Sequence, residues 1–411
     1  MSTQRPHVVI IGGGFGGLAA VRGLRRAPVD ITLVDDHAAN VFQPLLYQVA
    51  TAALNPGDIT WFLRSVRAKQ PNVHFRRAAM TGLNPEAKVV SLSDGTELTY
   101  DYLVLALGVS ANFFGIPGAE EHAIPLYQRA QALRIRDRLF GEMEWAATHP
   151  DDLRIVVVGG GATGVETAGA LAEMRNLDLP VVYPELDPNR VHITLVEMAP
   201  HVLAPFQPKL RRYAANQLTK RGVDLRLNTA VKEVRADGVL LDHETETEFL
   251  PANLVIWASG VSAHPQVADW GLTQGRGGRI QTDQHLRALG HRDIFAIGDA
   301  AWTEDSPLPQ QAQPALQGGK YVARMIRAAV AGQTEPAAFH YVDKGTMATI
   351  GRASAIAQIT GLPSLRGLPA WLIWVGIHIA QLLGNRNRFA TMVNLGQKYL
   401  GWRSHNLIVG D

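Results

Sequence analysis

His7-Val8-Val9-Ile10-Ile11-Gly12-Gly13-Gly14-Phe15-Gly16-Gly17 is the stretch that decides the fold, and Arg154-Ile155-Val156-Val157-Val158-Gly159-Gly160-Gly161-Ala162-Thr163-Gly164 repeats it. Each copy is an apolar, β-branched run that enters Gly-x-Gly-x-x-Gly and leaves into an Ala-rich helical stretch. One such motif is a weak signal; two, each between a strand and a helix, are specific. The first glycine (Gly12, Gly159) lets the chain turn off the strand. The second (Gly14, Gly161) lets backbone approach a pyrophosphate, and the third (Gly17, Gly164) permits close helix–strand packing. The helix N-terminus behind each turn offers unpaired N–H groups and a positive dipole end to phosphate. The chain therefore reads as an α/β protein with two Rossmann-like domains, holding two dinucleotides between which electrons pass.

Composition agrees with a folded enzyme of two or three domains. The chain has 411 residues, 46% hydrophobic and 18% charged, with a formal net charge of +2. No basic run or base-stacking pattern suits nucleic acid. The 14 histidines show no metal-ligand spacing, so no metal is expected. The first strand begins so early that no secretory signal is expected. There is no cysteine. Electrons cannot pass through a dithiol and sulfur cannot be carried on a thiolate, so electrons must go from a bound dinucleotide directly to the acceptor.

Working outward, helix 18–26 and strand 30–34 follow the first turn. Asp35 then stands at about the 20-residue spacing of a ribose-binding carboxylate. The apolar run Thr99–Leu107 is closed by Gly108, and a Gly/Pro loop at 115–118 marks the crossing into a second domain. There, strand Val191–Val196 ends at Glu197, the interval being lengthened by a polar, Pro-containing insertion at 175–189. Leu254–Ala258, closed by Gly260, repeats the pattern of Leu103–Leu107, as duplication of one unit predicts. A strand at 293–299 delivers Gly298 and Asp299, and a helix spans about 309–330. The expected domains are residues 1–118 and 266–330 for the first dinucleotide, 119–265 inserted between them for the second, and a distinct C-terminal region, 331–411.

Glu197 is suited to both hydroxyls of an adenosine ribose and would repel a 2′-phosphate, so NADH is favoured over NADPH. Arg190, at the start of that strand, is the cation able to soften this preference. Glu166, in the first turn of the second helix, has two readings: an acid matched to the helix dipole, or a group beside the nicotinamide. Asp299 ends a turn or meets the flavin's sugar chain.

These residues resemble the two-dinucleotide-binding-domain flavoproteins and, more closely, the type II NADH dehydrogenases, single-subunit NADH:quinone oxidoreductases that pump no protons. The likeness runs through nearly the whole chain. It is carried by Phe42-Gln43-Pro44-Leu45-Leu46-Tyr47-Gln48, Ala162-Thr163-Gly164-Val165-Glu166, Trp257-Ala258-Ser259-Gly260-Val261 and Ala312-Gln313-Pro314-Ala315-Leu316-Gln317-Gly318. The resemblance implies FAD on Gly12, Gly14, Gly17, Asp35, Gly108, Gly298 and Asp299. It implies NADH on Gly159, Gly161, Gly164, Glu166, Glu197 and Gly260, and a quinone, ubiquinone or menaquinone, at Gln313 and Gln317. Gln313 and Gln317 share one helical face, where neutral amides can donate to quinone carbonyls at no cost of burying charge. Alternatively the pair marks a solvated helix end. Lys344 and Arg352 are either neutralisers of reduced flavin or surface cations.

Leu368–Gly384 is apolar and uncharged but too short to span a bilayer. Beyond it Phe389, Met392, Val393, Gly396, Tyr399 and Leu400 fall on one helical face, with Thr391, Asn394 and Lys398 opposite. Arg366, Arg386, Arg388, Lys398 and Arg403 outnumber the acid Asp411, and Trp371, Trp374 and Trp402 flank the stretch. This pattern predicts helices lying in the membrane interface at the cytoplasmic face, peripheral rather than spanning. A buried helix or a homodimer contact is the alternative. Competing activities are a soluble ferredoxin-type reductase and an NADH-sensing flavoprotein with little turnover.

Overall fold

The computed structural model describes residues 5–243 and 246–400. The chain divides into two compact units. One comprises the residues up to Asn40 with Phe62–Ser110 and Val261–Asp343; the other comprises Val41–Trp61, Ala111–Gly260 and the chain from Lys344 onward.

The first unit is built on a five-stranded parallel sheet in the order Ile294–Ala296, Tyr102–Leu105, His7–Ile11, Asp30–Asp35, Val73–Arg77. His7–Ile11 sits at its centre, and Val8, Val9 and Ile10 are fully buried. Such continuous apolar strands belong to a sheet covered on both faces. The helix behind the turn runs Phe15–Gly23, three residues earlier than expected, because Gly14 itself serves as its N-cap. It crosses the helix Ala312–Val330 at very close range: a Cβ on Gly319 would lie 2.2 Å from the Gly16 carbonyl oxygen. The apolar run at 99–107 yields only the strand Tyr102–Leu105. The strand expected over 293–299 is shorter, and Gly298–Ala300 form a separate helical turn after it.

The second unit repeats the plan. Its parallel sheet runs Ala123–Pro125, Leu254–Trp257, Leu153–Val158, Val191–Val196, Val223–Arg226, again with the glycine-turn strand central. The repetition extends further. Each unit places a three-stranded antiparallel sheet after its outer parallel strand, from Met80 to Thr99 in one and Thr229 to Pro251 in the other. Val231, Val234, Val239 and Leu241 bury one face of the second of these. The 175–189 insertion is partly ordered as helix: Ala162–Glu173 continues through a π-turn, Met174–Asp178, into Leu179–Val182. Arg175 ties it down by donating to the carbonyls of Val191 and Gly222.

Within this unit the strands Gly345–Gly351, Ser354–Ile359 and Leu365–Gly367 form an antiparallel sheet. The first of them packs so tightly on the helix Ala162–Glu173 that a Cβ on Gly169 would lie 2.5 Å from the Ile350 carbonyl oxygen. Two helices follow, Leu368–Gln381 and Asn385–Leu400. Among the described residues no helix is long and apolar enough to cross a membrane.

Candidate active site

The two glycine turns are alike in detail. Gly12 has φ +103° and Gly159 φ +112°, a region only glycine enters freely, and a Cβ on Gly17 or Gly164 would lie 1.8 Å from the carbonyl oxygen of Gly12 or Gly159. The middle glycines differ: a Cβ on Gly14 or Gly161 would meet nothing within 4 Å. That space lies at the start of a helix with no side-chain cap and no acid in its first turn, so the amides and dipole remain for an anion.

The strand-end carboxylates are alike too. Asp35 accepts the Gly13 amide at 2.6 Å on one oxygen and the His37 amide at 2.8 Å on the other. Glu197 accepts the Gly160 amide at 2.5 Å and the Ala199 amide at 2.7 Å. Each acid thus locks its glycine turn and is itself fixed, with lone pairs left for ribose hydroxyls. Arg190 does not approach Glu197. Its guanidinium donates to the carbonyls of Ala146, His149 and Asp151, at 3.3, 2.5 and 2.6 Å, closing the end of the helix Arg129–Thr148. Asp35, Asp36 and His37 also bring three ligand-type atoms within 4.8 Å of one another, but Asp35 is already committed to two amides.

Gly108, Gly260 and Gly298, with φ of +69°, +70° and +68°, punctuate the strand ends as expected. Asp299 is carried by the turn after Gly298, and burial raises its carboxyl to about 6 while Arg279 pulls it down. Gln313 and Gln317 occupy the first two turns of Ala312–Val330, their amides 3.5 Å apart. They are not equivalent. Gln317 donates to the Val342 carbonyl and accepts the Val342 amide, both at 3.0 Å, and so braces the chain that leaves this helix.

In the second unit Glu166 is the fifth residue of its helix, not a first-turn acid. It is buried and accepts the Thr349 amide at 3.2 Å; burial lifts its carboxyl to about 8, against the pull of that hydrogen bond. The dipole reading is thereby excluded. Around it lie Tyr47 and Gln48 of the Phe42–Gln48 motif, and Trp374 and His378 of the apolar C-terminal stretch. Tyr47 and Gln48 are buried and hydrogen-bonded at 2.7 Å, and Tyr47 is pushed well above the usual phenol range, first by burial and then by Glu166. Trp374 and His378 stack at 4.1 Å, and burial holds the imidazole down at about 4, hence neutral.

Trp374 is therefore a core residue, only 1% exposed, and not an interfacial anchor. Trp371 packs edge-on against Tyr399, and Tyr399 is likewise buried rather than lipid-facing. Phe389, Met392 and Val393 are exposed, at 65%, 51% and 38%, together with Leu368 and Leu372. The polar side of the same helix faces inward. Asn394 donates to Asp58 at 2.6 Å, Asn387 to the Thr60 carbonyl at 2.7 Å, and Thr391 is fully buried. Arg352 donates its backbone amide to Glu173 at 2.6 Å and its guanidinium to the Tyr399 carbonyl, a tie to the last helix. Trp402 and Arg403 lie outside the described residues.

Two sheets of this order, each with a glycine turn and a locked acid, define a flavin- and nicotinamide-nucleotide-type oxidoreductase. Residues 6–319 match the pyridine nucleotide-disulphide oxidoreductase family, and residues 344–404 the NDH2 C-terminal domain. The chain is 37% identical to the type II NADH:quinone oxidoreductase NdhA of Mycobacterium tuberculosis, over 97% of this chain and 88% of that one. It is 32% identical to the type II NADH:quinone oxidoreductase of Staphylococcus haemolyticus, over 88% and 91%. The fold is that of Plasmodium falciparum NDH2 solved in complex with NADH, with a TM-score of 0.89 at 20% identity, covering 98% of this chain and 100% of that one. The chain belongs to the type II NADH:quinone oxidoreductase family.

Proposed function

We propose that the protein oxidises NADH and reduces a membrane quinone, with FAD as its resident cofactor. The observation that carries this reading is the pair of glycine turns, each opening at its middle glycine before an uncapped helix and each braced by a carboxylate. FAD fits the first: Gly14 leaves room for a pyrophosphate, the Phe15–Gly23 helix offers its amides, and Asp35 offers lone pairs to the ribose. Bound there, FAD would supply the two-electron chemistry that links NADH oxidation to quinone reduction with no sulfur relay.

The residues of the chain supply binding and electrostatics. Gly161 and the Ala162–Glu173 helix take the NADH pyrophosphate, and Glu197 takes the ribose while opposing a 2′-phosphate. Glu166 is a neutral carboxylic acid at neutral pH and can donate a hydrogen bond to a carboxamide or hold a proton. Gln313 is the freer of the two glutamines and is assigned to a quinone carbonyl, and Gln317 holds the helix in place.

The exposed Phe389, Met392 and Val393, carried on a helix whose polar side is bound inward, suit a bilayer interface at the cytoplasmic face. A lipid-soluble acceptor is collected from the same surface. The test is anaerobic. NADH should bleach the flavin of the purified protein, and a ubiquinone or menaquinone analogue should restore its colour within turnover time. Reoxidation by a ferredoxin-type protein but not by quinone would defeat the reading, as would failure of the protein to take up FAD.

A further inference from the structure

In the first unit Ile280–Gln281 pair in parallel with Ala301–Trp302, and this short ladder sets Arg279 beside the turn that carries Asp299. Arg279 is a cation only 8% exposed. Its guanidinium lies over the Trp302 ring, 4.4 Å from the centroid. Its Nε donates to the Arg276 carbonyl at 3.2 Å and its Nη1 to the Ala301 carbonyl at 3.4 Å. Trp302 is held in turn, since Gly275 leaves just enough room for the indole and Glu304 accepts its N–H at 2.7 Å. Among the described residues no carboxylate forms an ion pair with Arg279 inside 4.0 Å. The charged groups that act on it are Asp299, of opposite sign, and Arg276, of like sign. A guanidinium buried without a direct ion pair is costly, so its retention here calls for a use.

We propose that Arg279 is a positioning residue for FAD: stacked on Trp302 and anchored to two carbonyls, it keeps Asp299 a carboxylate available to the flavin's polyol hydroxyls. The inference rests on the assignment of Asp299 to FAD. An ionised carboxylate accepts hydrogen bonds on both oxygens, whereas the protonated acid gives up part of that capacity. Burial works against ionisation of Asp299, and the Arg279 charge works for it. Removing the cation leaves the acid neutral at a higher pH, so FAD is lost over a higher pH range.

The experiment measures FAD dissociation from the full-length holoprotein between pH 5.5 and 8.5, by the flavin fluorescence that returns on release. In the parent, affinity should fall as the pH drops through about 6. Arg279→Met should shift that fall upward by about one pH unit, weakening binding about twofold at pH 7 and about eightfold at pH 5.5. Arg279→Lys should restore the pH midpoint while recovering affinity only in part, because the planar stack is lost. Asp299→Asn should weaken binding at all pH values, and adding Arg279→Met to it should change nothing further. If Arg279→Met fails to fold, Arg279→Lys carries the test by keeping the parent midpoint at reduced affinity. Equal weakening by Arg279→Met at every pH would mean a purely structural role and overturn the proposal. So would the parent profile in Arg279→Met alongside weak binding in Asp299→Asn. Unchanged binding in Asp299→Asn would instead overturn the flavin assignment of Asp299, and the proposal with it.

Discussion

Replacing Glu166 with glutamine should stabilise the protein increasingly as pH rises. The carboxyl is buried against Gly345–Gly351, with the Thr349 amide as its hydrogen-bond donor, and burial lifts it from 4.5 to about 8. An acid whose folded pKa is raised keeps a proton that the unfolded chain surrenders. Its cost to stability is absent below pH 4.5, grows with pH, and levels off above about 8. At about 1.4 kcal/mol for each pH unit, the cost reaches up to about 3 kcal/mol at pH 7. Glutamine retains Oε1 for the Thr349 amide and has no charge to desolvate, so it removes the slope while keeping the hydrogen bond. Urea unfolding of both proteins at pH 5, 6, 7 and 8, followed by tryptophan fluorescence, is the assay. The midpoints should lie close together at pH 5 and diverge at pH 8, with the variant more stable. Parallel midpoints across this range would refute the argument from burial. NADH turnover measured on the same samples should fall if Glu166 donates to the NADH carboxamide as proposed, since stabilising a functional group trades activity for stability.

The middle glycines separate binding from folding: Gly14→Ala and Gly161→Ala should fold, because their Cβ atoms meet nothing within 4 Å, yet weaken FAD and NADH respectively, by at least tenfold in dissociation constant. Gly17→Ala, whose Cβ would sit 1.8 Å from a carbonyl oxygen, should fail to give soluble protein. Gln313→Ala should raise the quinone KM with little loss of stability, while Gln317→Ala should also cost about 1 kcal/mol in denaturant unfolding through the lost Val342 bonds. Exchanging Phe389, Met392 and Val393 together for serine should leave the unfolding midpoint within error and lower co-sedimentation with anionic vesicles about a hundredfold, each side chain contributing about 1 kcal/mol. Unchanged vesicle binding would assign that face another partner.

Much of the nucleotide machinery was legible in the chain because it depends on local rules. A strand followed by Gly-x-Gly-x-x-Gly leaves few backbone alternatives, and the acid at the end of the next strand is set by the length of the connecting helix. The amide partners of Asp35 and Glu197 were not legible, since they depend on how two adjacent strands register. Of the two readings of Glu166, the first-turn acid fails for a related reason: its hydrogen-bond partner, Thr349, lies on a strand nearly two hundred positions away. The C-terminal helices show the opposite error. Their apolar content was plain, but Trp374 and Tyr399 turn out to be core, while Phe389, Met392 and Val393 of the predicted face are exposed.

The amino-acid sequence alone determined two duplicated α/β units, their phosphate turns, the absence of a sulfur relay and an apolar C-terminal end, because each follows from periodicity, glycine or composition. Tertiary structure alone decided that residues 41–61 and the chain from Lys344 onward belong to the unit of the second turn. It also decided that burial lifts the Glu166 carboxyl to about 8, and that Asn387, Thr391 and Asn394 turn inward while Phe389, Met392 and Val393 do not. Burial is a property of what packs against a residue, and those partners come from segments that no local pattern connects.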